Sequence, residues 1–282
     1  MYVSSIDMIQ KAREGHYAVP AFNAENLEMV QAIIRAAEEE KSPVMIQTTP
    51  PTVKYLTPEE AYAMVYTLAK KSTVPVALHL DHCTSFDDVM VAIKAGYSSV
   101  MFDGSKLSFE ENVELTKKVV DVARPMGITV EAELGKVGGK EDNVESAEAL
   151  YTDPAEAKEF VDKTGVDILA VAIGTAHGFY KGEPKLDFDR MEEIAKLTEI
   201  PLVLHGGSGV PEESVKKAIR LGMSKVNFAT ELRAAATAGV RKVLEDPDVI
   251  DPKKYMAAAR EEVVKLCKVK IAMCGSHGKA QQ

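Results

Sequence analysis

The stretch that decides the fold is residues 75–83, PVALHLDHC, in which an apolar run passes directly into polar residues. A short apolar run after a proline is typical of a buried strand. Asp81 and His82 would then place a proton-transfer group and a nitrogen ligand at one strand end. Taken alone, His82 fits a hydrogen-bonded structural histidine better, and Asp81 could cap the helix that follows. The stretch therefore needs partners elsewhere in the chain.

Apolar segments of this kind recur along the chain, and segments with helical spacing separate them. The predicted strands are residues 17–23, 43–49, 75–83, 98–104, 128–134, 166–175, 201–204 and 224–228. Strands that are apolar nearly throughout are expected where helices cover a parallel sheet. Eight strand–helix units in 282 residues therefore predict an α/β fold, a (β/α)8 TIM barrel with additional C-terminal helices, as a single domain over residues 1–282.

A doubly wound open sheet is the alternative architecture. Such a sheet often carries a G-x-G-x-x-G turn after its first strand, because the glycines let a dinucleotide approach the backbone. Residues 23–26 are NAEN at that position. The sequence therefore favours the barrel.

Composition limits the class of partner and the compartment. The formal charge of −9 and the absence of a Lys/Arg-rich block argue against a nucleic-acid partner. No segment approaches the length of a membrane span, and the N-terminus lacks the basic and apolar pattern of a signal peptide. The cysteines, Cys83, Cys267 and Cys274, are too scattered for a disulfide framework. A cytoplasmic protein without a membrane partner is expected.

Polar side chains collect at or near the C-terminal ends of the predicted strands. They are Asn23, Asp81, His82, Asp103, Glu133, His177, His205 and Asn227. Barrel enzymes keep their active sites at that end. His82, His177 and His205 would converge there as three neutral nitrogens around an open position, which suits a catalytic Zn²⁺. Buried histidines without a metal are the alternative.

Three other histidines and one cysteine are predicted to be neither metal ligands nor proton carriers. His79 lies on the same alternating face of its strand as Asp81 and is interpreted as a packed or orienting residue. His16 and His277 lie off the strand ends, and we expect them at the surface. Cys83 is not expected to bind a metal.

Glycines suggest two further functional segments. Residues 206–209, GGSG, lead towards a helix, so their backbone amides could hold a phosphate, as could those of residues 229–231. A tight turn is the alternative for the glycines. Residues 135–143 form a glycine-rich loop that is either a plain surface loop or a lid carrying a carboxylate.

Several of these motifs together resemble one known family. Residues 79–82 (HLDH), 131–135 (EAELG), 174–178 (GTAHG) and 204–209 (LHGGSG) are similar to the class II ketose-bisphosphate aldolases, essentially from end to end. Residues 227–232, NFATEL, resemble the tagatose-bisphosphate branch. The resemblance implies zinc-dependent, reversible cleavage of tagatose or fructose 1,6-bisphosphate to dihydroxyacetone phosphate and glyceraldehyde 3-phosphate.

The resemblance also implies roles for individual residues. His82, His177 and His205 would bind Zn²⁺ with Asp103 and Glu133 nearby, while Asp81 moves the C4 hydroxyl proton and Glu141 the enediolate proton. The substrate contacts it implies are Asn23, Thr49, Gly178, Lys181, Gly206, Gly207, Ser208, Asn227, Ala229 and Thr230. A monovalent cation, Na⁺ or K⁺, would sit against backbone carbonyls. The family pattern also implies a homodimer or homotetramer acting on a phosphorylated sugar.

One departure from the family concerns the distal phosphate. Residues 251–254 are DPKK, whereas the family carries Asp-Pro-Arg, whose arginine reaches the substrate of a neighbouring subunit. Lys253 keeps the charge there but lacks the two-pronged guanidinium. The assignment of Lys253 to that phosphate is therefore an expectation that needs its own test.

Three other functions compete with the aldolase. A Schiff-base aldolase needs a lysine inside the barrel, but Lys106, Lys136 and Lys181 are predicted to lie in loops. A zinc-dependent sugar (phosphate) epimerase would use Asp81 and Glu141 on opposite faces of one carbon. A non-catalytic partner subunit would keep the barrel without the chemistry, and the retained histidines argue against it.

Overall fold

The computed structural model describes residues 1–141, 144–146, 150–178, 180 and 182–281. For residues 140, 141, 144–146 and 281 it describes the backbone alone. Two predicted site residues are affected, because Lys181 and the side chain of Glu141 lie outside the described residues. Among the described residues, no helix is both long enough and apolar enough to cross a bilayer.

Eight parallel strands close into a barrel, as the sequence predicts. They are β1 (Val19–Asn23), β2 (Val44–Thr48), β3 (Val76–Cys83), β4 (Ser99–Phe102), β5 (Thr129–Leu134), β8 (Ile168–Val171), β10 (Leu202–Leu204) and β11 (Met223–Phe228). Neighbours around the barrel follow chain order, and β1 pairs with both β11 and β2 to close it. A smaller sheet holds β6 (Gly138–Glu141), β7 (Val144–Ser146) and β9 (Ala176–His177).

Helices cover the outside of the barrel and its N-terminal end. They are α1 (Ile6–Glu14), α2 (Leu27–Glu40), α3 (Pro50–Tyr55), α4 (Pro58–Ala69), α5 (Phe86–Ala95), α6 (Phe109–Ala123), α7 (Pro154–Thr164), α8 (Phe188–Thr198), α9 (Glu212–Arg220), α10 (Thr230–Val243) and α11 (Pro252–Met273). Helix α4 begins with a capping box between Thr57 and Glu60. Helix α11 is the additional C-terminal helix and packs on α10 and α2.

The barrel interior is apolar at its N-terminal end. Met8, Ile9 and Ala12 of α1 enter a core whose strand members alternate with the residues that pack against the outer helices. The strand residues of this inner core are Val19, Ala21, Met45, Ala77, Ile168, Ala170 and Val203. Helix α1 therefore closes the end of the barrel opposite the predicted site.

Candidate active site

Three histidines meet at the C-terminal end of the barrel. His82 lies in β3, His177 lies in β9 beyond β8, and His205 directly follows β10. The ring of His82 is 4.8 Å from that of His177 and 4.4 Å from that of His205, measured between centroids. Each of the three residues offers a nitrogen within 4.8 Å of the others. The structure thus brings together the three histidines that the sequence placed at strand ends.

An irregularity in β3 lets two adjacent residues face the same site. The register of β3 against β4 shifts between Leu80 and Cys83, and His82 has a φ of 50°. A regular strand would turn Asp81 and His82 to opposite faces. In the structure both are buried, and Asp81 Oδ2 lies 4.0 Å from His82 Nε2. The bulge therefore places a carboxylate directly beside the histidine cluster.

Two more carboxylates border the histidines. Asp103 Oδ2 accepts a hydrogen bond from His82 Nδ1 at 3.1 Å, and Glu133 Oε2 lies 3.3 Å from His205 Nδ1. Burial raises the pKa of Asp103, but the hydrogen bond with His82 outweighs it and lowers the pKa to about 2. Burial and the charge of Asp103 both raise the pKa of Glu133. Asp103 is therefore ionised, whereas Glu133 holds a proton more readily than a free carboxyl group does.

Two atoms in the site fit a bound cation. His205 Nδ1 and Glu133 Oε2 are buried, and within the described part of the chain neither completes a hydrogen bond of good geometry. A cation between an imidazole nitrogen and a carboxylate oxygen would satisfy both atoms. Three histidines with a carboxylate form a donor set that suits Zn²⁺. The residues present therefore fit a zinc ion.

Asp81 is held by two side-chain amides. Gln47 Nε2 donates to Asp81 Oδ2 at 2.9 Å, and Asn227 Nδ2 donates to the same carboxylate at 3.2 and 3.3 Å. Burial raises the pKa of Asp81, but the nearby charge of His82 outweighs it, so the pKa lies well below its usual value. Gln47 was not predicted as a site residue. Its place two residues after the inward Met45 on β2 was the available signal.

A layer of charged side chains lies directly beneath the histidines. Glu131 Oε1 accepts from His205 Nε2 at 2.9 Å, and its Oε2 accepts from Lys225 Nζ at 2.7 Å. Glu131 and Lys225 are fully buried, and neither was predicted as a site residue. The prediction that lysines fall in loops was incomplete, because Lys225 lies within β11 inside the barrel. Its ammonium group is paired with Glu131, so it does not stand open at the strand ends as a Schiff-base lysine would.

His79, predicted to be a packed or orienting residue, is packed inside the barrel. It is fully buried, and its Nδ1 lies 2.8 Å from Ser99 Oγ. Its Nε2 lies 3.6 Å from Asp81 Oδ1 and 3.5 Å from Glu131 Oε2. Cys83 is buried and donates to the carbonyl of Ser85. His16 and His277 are exposed, as predicted.

Glycines after β10 allow a close backbone approach. Gly206 has a φ of 66°, and a Cβ on Gly207 would lie 2.7 Å from Val226 Cγ1. Ser208 Oγ is buried and has no hydrogen-bond partner among residues whose side chains are described. Helix α10 begins at Thr230, directly after the buried Ala229. Backbone amides from both segments lie at the two barrel units that commonly hold phosphate.

The other predicted substrate residues lie in different surroundings. Asn23 is buried at the end of β1, and its Oδ1 accepts from Gln47 at 2.8 Å. Thr49 is buried just before α3, and Gly178 is partly buried next to His177. Lys253, in contrast, is 86% exposed at the start of α11 and pairs with Asp251. Its position offers no support for a role in its own subunit's site.

The glycine-rich segment after β5 is a strand where an irregular loop was predicted. Gly138 and Gly139 of β6 pair in parallel with Ala176 and His177 of β9. Gly139 has a φ of 91°, and a Cβ there would lie 2.6 Å from the backbone nitrogen of His177. Only glycine allows the two strands to approach so closely. The segment that carries Glu141 is thus attached to the strand that carries His177.

The fold and the site together define a class of protein, namely a (β/α)8 barrel with a cluster of histidines and carboxylates, suited to a metal ion, at the C-terminal ends of its strands. The comparisons with known proteins identify the family. The sequence model of class-II fructose-bisphosphate aldolases matches residues 3–279, and the chain belongs to that family. It is therefore a class II aldolase, a carbon–carbon lyase that acts on phosphorylated sugars.

Named relatives resemble the chain over nearly its whole length. A fructose-bisphosphate aldolase of Geobacillus stearothermophilus is 48% identical over 287 residues, covering 99% of each chain. One from Staphylococcus epidermidis is 46% identical over 289 residues with the same coverage. The crystal structure of the YdjI aldolase from Escherichia coli K12 superposes with a TM-score of 0.90 at 40% identity, covering 99% of this chain and 100% of that one.

Proposed function

We propose that this protein catalyses the zinc-dependent, reversible cleavage of a ketose 1,6-bisphosphate to dihydroxyacetone phosphate and glyceraldehyde 3-phosphate. Tagatose 1,6-bisphosphate is the favoured substrate and fructose 1,6-bisphosphate a close second. One observation carries the proposal: three histidine nitrogens within 4.8 Å of one another stand beside an aspartate that two amides hold in place. The whole chain, residues 1–282, would act as a single catalytic domain.

The metal would be held by His82, His177 and His205. Asp103 and Glu133 would contact it directly or orient the histidines, as carboxylates commonly do around zinc. When bound, zinc supplies a Lewis acid that polarises the ketose carbonyl and stabilises the negative charge left when the C3–C4 bond breaks. A monovalent cation, Na⁺ or K⁺, could accompany the substrate phosphate.

Asp81 would carry the proton of the C4 hydroxyl. Cleavage removes this proton as the C3–C4 bond breaks, and condensation returns it to the aldehyde oxygen. The amides of Gln47 and Asn227 hold the Asp81 carboxylate oxygens, so the group is fixed in place while it accepts and returns the proton. Glu141, whose backbone lies in β6, would exchange the proton at C3 of the released half.

The segments around the glycines would hold the phosphate of the dihydroxyacetone half. Backbone amides of Gly206, Gly207 and Ser208 and the start of α10 would donate to its oxygens. The remaining contacts proposed on this side are Gly178, Lys181, Asn227, Ala229 and Thr230. Asn23 and Thr49 would face the other half, and within the described chain Asn23 Nδ2 is buried without a hydrogen-bond partner.

The two sugars differ only in the configuration at C4. The segment NFATEL at residues 227–232 supports tagatose, because it resembles that branch of the family. The names of the relatives in Geobacillus and Staphylococcus support fructose. Measuring kcat/KM for both bisphosphates tests the choice, and a higher value for fructose 1,6-bisphosphate would reverse our preference.

Metal removal tests the chemistry. Prolonged chelation should abolish cleavage, and added Zn²⁺ should restore it. Activity that survives chelation, or that borohydride destroys in the presence of substrate, would instead indicate a Schiff base. Product analysis separates cleavage from epimerisation, because an epimerase returns a hexose bisphosphate and no triose phosphates.

We also propose that the active form is a homodimer or homotetramer. The support is the exposure of Lys253, which leaves it available to reach the distal phosphate in a neighbouring copy. Light scattering tests the oligomer. Lys253→Ala should then raise KM for the bisphosphate, and an unchanged KM would remove Lys253 from the site.

A further inference from the structure

Lys225 is the feature of the barrel that the proposed mechanism does not use. Its side chain is fully buried, and it is one of the larger buried side chains of the molecule. Its ammonium group touches Glu131 from a position between the apolar core above α1 and the histidine cluster. A charged side chain in such a place calls for an explanation, since an apolar residue of similar size would pack there at lower cost.

The partners of Glu131 indicate what the lysine does. One carboxylate oxygen accepts from Lys225 Nζ at 2.7 Å, and the other accepts from His205 Nε2 at 2.9 Å. An ionised carboxylate can only accept hydrogen bonds, so His205 must carry its proton on Nε2. In neutral His205, the form that can bind a metal, Nδ1 is then the nitrogen with a lone pair. That atom lies 3.3 Å from Glu133 Oε2, on the side of the histidine cluster.

We propose that Lys225 is a positioning residue for the metal site. Its ammonium group anchors Glu131, and Glu131 in turn fixes the tautomer and the ring orientation of His205. The contacts run from Lys225 in β11 through Glu131 in β5 to His205 at the end of β10. Residues of three strands therefore orient one proposed metal ligand. Lys225 itself touches neither the metal position nor the substrate.

The inference rests on the proposed zinc site, and zinc affinity is therefore the first readout. Full-length protein is stripped of metal and titrated with Zn²⁺ against a chromophoric chelator. Lys225→Met removes the charge and keeps the length of the side chain. We expect zinc to bind about 10- to 100-fold more weakly, the usual effect of losing support around a metal ligand.

A matched control separates this effect from a general loss of stability. Lys270 is also buried, and its Nζ pairs with Glu231 at 2.7 Å, but it lies in α11 outside the barrel. Lys270→Met should lose stability and bind zinc like the wild type. Zinc binding weakened equally in both variants would overturn the proposal.

A double variant separates positioning from simple charge balance. Lys225→Met combined with Glu131→Gln leaves no unpaired charge, so folding should recover even if Lys225→Met alone unfolds. We expect zinc affinity to stay 10- to 100-fold weaker, because a neutral amide holds His205 less firmly. Wild-type affinity in the double variant would show that Lys225 only balances a buried charge, and the proposal would fail.

The tautomer gives a second readout that a purely structural role would not move. The chain has six histidines, so ¹⁵N-histidine labelling yields a spectrum simple enough to assign. In the zinc-loaded wild type, where a ligating imidazole is neutral, the His205 signal should be that of the Nε2–H form, and it should change in Lys225→Met. If wild-type protein fails to bind zinc, the proposed function itself is wrong. If wild type and Lys225→Met bind zinc equally, only the role of Lys225 is wrong.

Discussion

The two ends of the barrel interior are built from the same strands but bury different kinds of side chain. Along β3, the inward residues change from Ala77 in the inner core to His79 and then to Asp81 in the site. The lower end is filled by apolar side chains and closed by α1, and the upper end is filled by buried charges. Two residues along β3, from Ala77 to His79, therefore separate a region that stabilises the fold from one that holds reactive groups.

The energetic reason lies in what each end buries. Apolar side chains gain free energy on burial, about 25 cal/mol per Å², and gain more from close packing. Buried charges lose hydration and are tolerated only when they are paired, as Glu131 is with Lys225. We therefore expect substitutions at the lower end to change stability and those at the upper end to change chemistry.

The largest effect is expected at the upper end. Asp81→Ala should lower kcat by about 10²- to 10⁴-fold, because it removes the proposed proton carrier. Bound zinc, measured by metal analysis, should remain. Asp121→Ala, an exposed aspartate paired with Lys117 on α6, is the control and should leave kcat unchanged. Loss of the metal in Asp81→Ala would mean that Asp81 is a ligand and not a proton carrier.

The corresponding substitution at the lower, apolar end of the barrel is Met45→Ala. Met45 is fully buried in the inner core, so its truncation should cost about 2–5 kcal/mol of unfolding free energy, measured by denaturant titration. The kcat of the folded fraction and the zinc affinity should stay at wild-type values. A fall in kcat as large as that of Asp81→Ala would show that the two ends are not independent.

Alanine substitutions of two glycines test the difference between the two ends of the barrel. Gly207→Ala should lower kcat/KM by about 10- to 100-fold, because its Cβ would press on Val226 and displace the proposed phosphate site. Gly127→Ala adds a methyl group before β5, where the structure describes no atom within 4 Å apart from its chain neighbours, although the φ of 68° will cost some stability. That variant should keep kcat/KM. Equal losses in both would argue against a phosphate site at Gly207.

The smallest effect is expected outside the barrel. Thr57→Ala removes the cap of α4 and should cost about 1 kcal/mol of stability, seen in thermal unfolding. Catalysis should not change. Thr57→Ser keeps a hydroxyl at the cap and should retain most of the stability, so a full loss there would point to packing and not to the hydrogen bond.

Much of this architecture was predictable from local patterns. Apolar runs gave the eight barrel strands, and signals such as Thr57 before Pro58 gave helix starts. His82, His177 and His205 were predicted to meet because each follows a strand core. Short helix α3 and the strand β6 were not predicted. Strand β6 pairs with the neighbouring β7 and also with β9, more than thirty positions away in the chain, and that distant pairing leaves no local pattern in the sequence.

The charged layer was harder to predict for a physical reason. Glu131 and Lys225 look like ordinary surface residues in sequence, because a charged residue is rarely buried unless a partner meets it. That partner lies 94 residues away and on another strand. The placement of Gln47 against Asp81 is likewise set by the register of β2 with β3.

The sequence by itself determined the barrel, the end at which the polar residues gather and the family to which the chain belongs. These follow from periodicity and from motifs, which are properties of neighbouring residues. Only the tertiary structure decided that Asp81 and His82 face the same site, because a bulge against β4 overrides the alternation of the strand. It also decided that Lys225 meets Glu131 and, through it, His205, because closure of the barrel brings β11, β5 and β10 around one point.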